Sequence, residues 1–182
     1  MDIVPRGWEE PSWLRSFYPA DLPPEWRLAY FANELPAVLV PAEVWLAADD
    51  ALGGLAADVP PGFRFYLELP PSGWAARPWA PVAACLGARL AGLVAVQVPP
   101  DPSDASAEVP RYLLAEQPQP GWAPARLAPP PGPGGLRAQR AWLEATARQA
   151  PGRTSLIVVE GAASTPEALR GWWDLAYLVG LA

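Results

Sequence analysis

Four short apolar runs constrain this chain more than any other feature: Ala37-Val38-Leu39-Val40, Leu93-Val94-Ala95-Val96, Tyr112-Leu113-Leu114-Ala115 and Leu156-Ile157-Val158-Val159. Each is too short for a buried helix and lacks the alternation of a half-wet strand. Such runs fit strands covered on both faces, as parallel sheets require. Helix-forming stretches lie between them, at about residues 24–35, 49–57, 78–90, 136–149 and 166–179. Strand alternating with helix predicts crossover connections, and hence an α/β fold with parallel strands.

The predicted strands run from Ala37 to Glu43, Phe63 to Leu69, Gly92 to Val98, Arg111 to Glu116 and Ser155 to Glu160, with a weaker one from Asp2 to Gly7. The run at Phe63 stands apart. Phe63, Phe65, Leu67 and Leu69 share one face, while Arg64, Tyr66 and Glu68 share the other. One side of that strand therefore looks onto a polar interior. Many of the 26 prolines close apolar runs, as at Val59-Pro60-Pro61, Leu69-Pro70-Pro71 and Val98-Pro99-Pro100. They remove backbone donors where elements end. The segment 118–135 is dense in Pro and Gly and reads as a surface loop or linker within a single domain spanning 1–182. A polyproline ligand for another protein is the alternative reading of that segment.

Composition limits the chemistry. The 13 basic residues are all Arg, His is absent, and Cys85 is the one cysteine. No His-dependent triad, Lys-dependent phosphate loop, Schiff base or cysteine-ligated metal can be assembled from this chain alone. No cofactor is implied. The net charge of −6 argues against nucleic acid and anionic membranes as partners. The opening Met1-Asp2-Ile3-Val4-Pro5-Arg6 lacks the order of a secretory signal, and the longest apolar stretch, 80–100, is interrupted by Arg89 and Gln97. An acidic, tryptophan-rich, cytoplasmic protein with a free thiol is the expectation.

Acids gather at the predicted strand ends. Glu43, Glu68, Glu116 and Glu160 close four of them, and Gln97 stands near the end of a fifth. Ligand sites of parallel α/β folds lie at the carboxyl ends of strands, so these acids would ring one mouth. Two free carboxylates can act as acid and base in glycoside hydrolysis, and several can hold a divalent cation. The plainer reading is that they are solvated or paired with Arg, Glu68 with Arg64 in particular. The polar face of the Phe63 strand makes Arg64 and Tyr66 candidate ligand contacts. The turn Gly161 to Thr165 precedes a helix, so Gly161, Ser164 and Thr165 could meet a small anion. Ser164 or Thr165 can cap that helix, with Pro166 and Glu167 completing its first turn. Ten tryptophans can fill a core, or stack on sugars or partners. Trp172 and Trp173 are adjacent on a predicted helix and must point about 100° apart.

The N-terminal half resembles the domain of unknown function 72, the YecE-like family. The resemblance rests on Gly7-Trp8, Trp13, Phe17-Tyr18-Pro19, Leu22-Pro23, Leu28 and Tyr30-Phe31-Ala32, then Pro60, Gly62-Phe63, Phe65 and Leu69-Pro70, and finally Gln97, Pro99 and Pro100. It implies a TIM-type barrel. A full barrel takes ~250 residues, so a chain of 182 implies a shortened or incomplete one with sheet edges to cover. The segment 118–135 or a second copy could cover them. The family's polar Glu and Asn positions are Leu39 and Pro41 here, and Glu68 stands where the family has Lys. These departures favour a non-catalytic protein acting by binding or assembly. A homo-oligomer, a protein partner, or a small anion or sugar are the partners expected. The alternative is a carboxylate-based hydrolase, glycosidase-like or divalent-metal dependent.

Overall fold

The computed structural model describes residues 1–47, 51–71, 79–98, 109–115, 117, 119–129, 134–149, 155–161 and 164–181. In chain order these form β1 (Asp2–Pro5), α1 (Pro11–Ser16), α2 (Arg27–Glu34), β2 (Ala37–Val40), α3 (Ala42–Trp45), α4 (Ala51–Ala57), β3 (Arg64–Glu68), α5 (Trp79–Leu86), β4 (Leu90–Ala95), β5 (Arg111–Leu114), β6 (Ala123–Leu127), α6 (Gly135–Gln149), β7 (Leu156–Val159) and α7 (Pro166–Leu178). All seven strands are parallel, in the order β1-β7-β6-β5-β4-β3-β2. The two ends of this sheet meet. Arg6 bridges Leu39, and the Gly7 N–H donates to the Leu39 carbonyl at 2.8 Å. The result is a nearly closed, TIM-barrel-like array, with seven strands among the described residues against the usual eight.

The shortened, incompletely closed barrel is the one expected, and its two edges meet one another through a single bridge. The barrel form explains the apolar runs. On every strand one set of alternate residues fills the lumen and the other meets the helices. Val4, Leu39, Tyr66, Val94, Tyr112, Ala125 and Val158 belong to the lumen cluster. Ile3, Val38, Phe65, Leu67, Leu93, Ile157 and Val159 belong to the outer layer beneath the helices. The helices bury matching stripes: Leu28, Phe31 and Ala32 on α2, and Leu169, Trp172 and Ala176 on α7.

Two sequence expectations need correction. The segment 118–135 is not wholly a loop, since β6 runs through Ala123-Pro124-Ala125-Arg126-Leu127 and pairs with β5 and β7. Its strand signal was hidden by Pro124 and two alanines, which lower β propensity. Burial of Ala125 in the lumen and Trp122 in the outer core overrides that preference. The second correction is that β2 stops at Val40, because Pro41 turns the chain into α3. Glu43 is therefore on a short helix and not on a strand.

Among the described residues, most tryptophans belong to the core or pack against it. Trp8, Trp13, Trp45, Trp122 and Trp172 are buried, while Trp26 is 64% exposed. Trp13 stacks on Phe31 with ring centroids 5.2 Å apart. The adjacent pair on α7 splits as its spacing demands: Trp172 meets Trp142 edge to face, and Trp173 donates its indole N–H to the Ile3 carbonyl at 3.0 Å. Among the described residues, no helix is long and apolar enough to cross a membrane.

The lumen leaves no slack at Gly92. A Cβ there would lie 2.6 Å from Tyr112 Cε2 and 3.0 Å from Tyr66 Cδ1. The two rings already pack edge to face at 5.8 Å. Gly92→Ala should therefore destabilise the fold by about 1–3 kcal/mol through overpacking. Urea unfolding checks this, and an unchanged midpoint would show that the rings can move aside freely.

Candidate functional site

Period-two alternation sends Asp2 and Arg6 of the first strand, and Arg64, Tyr66 and Glu68 of β3, toward the lumen. Four residues of strand span about 13 Å. Asp2 and Arg64 therefore lie at the N-terminal end of the barrel, and Arg6 and Glu68 at the C-terminal mouth. This corrects the expected Arg64–Glu68 pairing, since those residues sit at opposite ends of one strand. Each finds its partner on the first strand instead.

At the floor, Asp2 accepts from Arg64 Nη1 at 2.9 Å and from the Tyr66 hydroxyl at 2.6 Å. Burial raises the Tyr66 hydroxyl far above its ordinary range, and the Asp2 carboxylate raises it further. Tyr66 thus remains a neutral donor. Arg64 and Tyr66, read from sequence as ligand contacts, are engaged in closing the floor.

At the mouth, Arg6 holds two acids. Its Nε donates to Glu68 Oε2 at 2.9 Å, and its Nη2 lies 2.8 Å from the same oxygen and 3.4 Å from Glu43 Oε1. Glu160 is exposed at the end of β7, near enough to add its field to Arg6. Burial alone would lower the Arg6 pKa, but Glu68, Glu43 and Glu160 outweigh it and hold the guanidinium charged. At Glu68 the balance differs. Burial raises the carboxyl above its ordinary 4.5; Arg6 and the Ala42 N–H pull it down, and Glu43 pushes it up again. Glu68 is the more sheltered acid, its side chain 15% exposed against 68% for Glu43.

A cavity of about 220 Å³ opens beside this bridge, lined by Arg6, Gly7, Trp8, Glu10, Pro41 and Glu43 among others. Glu9, also on its wall, is paired with Arg27 at 3.0 Å. A second hollow of about 290 Å³ lies at the ends of β5 and β6, where Leu114, Ala115, Ala125 and Leu127 line it together with Arg126. Acids and Arg6 thus dominate the side of β1 to β3, while the side of β5 and β6 is mostly apolar with Arg126 as its charged residue.

The remaining candidates scatter. Gln97 is exposed beyond β4, and Glu116 lies outside the described residues. Gly161 takes a left-handed φ of +67° after β7. Thr165, not Ser164, caps α7, its hydroxyl accepting from the Ala168 N–H at 3.2 Å. Ser164 is fully buried, and its carbonyl accepts from the Trp13 indole. The Thr165 hydroxyl and the Ser164 carbonyl are thus spent on the chain itself, while Ser164 Oγ is buried with no hydrogen-bond partner among the described residues. Among the described residues, no group of three or more His, Cys, Asp or Glu is placed to hold a metal ion. Sequence reasoning missed Arg6 and Asp2, the residues that organise both ends. The available signal was their spacing: both share parity with buried Val4.

Parallel strands, a packed lumen and polar side chains at the C-terminal mouth define a TIM-barrel-like α/β protein. The crystal structure of a DUF72 family protein from Thermotoga maritima shares this fold, with a TM-score of 0.56 and 13% sequence identity. The match covers 99% of this chain and 100% of that one, so the fold agrees with the one implied by the N-terminal motifs. No family model matches the sequence, and no curated protein does.

The Glu68 shift has a sign that can be tested. A carboxyl raised in the native state binds its proton more tightly than in the unfolded chain. Its contribution to stability is therefore present below about pH 4.5 and is lost as pH rises through the native value. Glu68→Gln removes that loss. The Tm of the variant minus that of the parent should become more positive from pH 4 to pH 7. A difference that stays flat or falls would place Glu68 in a net favourable pair with Arg6.

Proposed function

We propose that this chain is a divergent, shortened member of the DUF72 (YecE-like) family that binds a small molecule at its barrel mouth and does not turn it over. The observation that carries this reading is the Arg6 bridge to Glu68 and Glu43. An acid–base pair needs two carboxylates with room for substrate between them. Here a guanidinium occupies that room and holds one oxygen of each acid. The joined barrel edges favour a small ligand over assembly by strand pairing.

The wall chemistry favours a neutral hydroxylated ligand of sugar type over an anion. Glu10 and Glu43 line the cavity with the Arg6 bridge, and Glu160 adds negative field nearby. Hydroxyls can donate to those acids and accept from Arg6, whereas an anion meets net negative charge. The cavity is smaller than the ~300–1,000 Å³ of drug-sized sites, which limits the ligand to roughly one ring. Exposed, unpaired Cys85 supports a reducing, cytoplasmic setting.

A carboxylate-based hydrolase is the second reading, and one observation favours it. The sheltered, upward-shifted Glu68 beside exposed Glu43 is the asymmetry that an acid and a base need. One titration separates the readings. Neutral monosaccharides, then phosphate and sulfate, are added to the protein and followed by calorimetry and thermal melts. Binding of a sugar, weakened at least tenfold by Arg6→Gln and without release of product from aryl glycosides, supports the binding reading. Preferential binding of phosphate would overturn the ligand assignment. Glycoside cleavage abolished by Glu68→Gln would replace it with the hydrolase.

A further inference from the structure

The barrel is not held equally all the way round. Six of its strand contacts are ladders with three or four residue pairs in register. The seventh, between β1 and β2, is the single bridge of Arg6 to Leu39 with the Gly7 N–H on the Leu39 carbonyl. Parallel ladders gain stability residue by residue. A joint with one bridge is the place where the sheet has least to lose on parting.

What the joint lacks in backbone pairing it receives from side chains. Asp2 reaches over β2 to Arg64 and Tyr66 of β3, and Arg6 reaches over it to Glu68, with Glu43 of α3 as a second hold. Both clasps cross the lumen, one at each end of the barrel. Outside, Trp13 lies over the same region, stacked on Phe31 of α2 and bonded to the Ser164 carbonyl ahead of α7. Arg170 of α7 and Glu34 of α2 meet at 2.8 Å above it. The ion pairs are partly exposed, with side-chain exposures of 33% for Arg6 and 42% for Arg64. Exposed pairs are screened and individually weak. The joint is therefore held by side-chain contacts that can let go while the ladders stay intact.

We propose that the β1–β2 joint is the barrel's lateral gate: β1 parts from β2 in a sub-global opening that exposes the lumen while the sheet from β2 to β7 stays folded. The two lumen-crossing clasps set how often this happens. Local openings with free energies well below that of global unfolding are a general property of folded chains, and they follow the least-paired seams.

Thiol trapping tests this in the full chain with Cys85→Ser. Leu39 faces the lumen at the joint and is 1% exposed, and Leu67 faces the outer layer of β3 and is 0% exposed. L39C and L67C are labelled with a maleimide across a urea series. The gate predicts labelling of L39C at least tenfold faster than L67C without urea, and a shallower urea dependence. Adding Arg6→Gln should speed L39C labelling several-fold. Hydrogen exchange on the parent chain guards against perturbation by the cysteines: the Gly7 amide should exchange with a shallow urea dependence and the Leu67 amide with a steep one. Equal rates and equal slopes at both sites, by either method, would overturn the gate. L39C labelling unaffected by Arg6→Gln would overturn the role of the clasps.

Discussion

Asp2 at the start of β1 and Arg6 just beyond its end, four residues apart, reach over a neighbouring strand to touch the next. Everything at both ends of the barrel follows from that reach. A sheet of seven parallel strands has two free edges, each a row of unpaired backbone groups. Here β1 and β2 are those edges, and they meet through one bridge. The inward side chains of β1 then bind β3, so the closing strand is held by residues that never belong to its ladder partner. Charge in the lumen is tolerable only where it is paired. The sequence places acid against base at each end and apolar residues between.

The same pairing decides what the mouth can do. Glu68 is held at the mouth by Arg6, which follows β1 and reaches it past β2. Leu39 fills the lumen, and Pro41 starts the turn into α3. The mouth retains polarity but not free carboxylates in a facing pair. Its cavity spans the junction of β1 with the turn after β2, so an occupant would touch both sides of the least-paired joint.

Much of the architecture was legible in the residues. The runs at Val38, Val94, Leu113 and Ile157 are apolar at both parities because both faces are covered, and they became β2, β4, β5 and β7. The alternation around Tyr66 correctly separated lumen from outer layer. β6 was not legible, since Pro124 and its alanines carry no local preference for a strand, and only its neighbours put it there. The site was legible in part. Glu68 and Glu160 lie at strand ends on one side of a parallel sheet, and the short helix α3, not a strand end, brings Glu43 within reach of the same Arg6. Their common partner was hidden, because Arg6 lies some sixty residues from Glu68 and nothing local couples the two.

Tyr66, Tyr112 and Gly92 have a consequence for how the two ends of the barrel communicate. The two rings pack edge to face in the lumen, against the bare backbone of Gly92. The ionic cluster around Asp2 and the one around Arg6 therefore lie on either side of a packed aromatic layer. A change of charge at one end can be felt at the other only through those rings or along the stretch of chain that carries both Asp2 and Arg6.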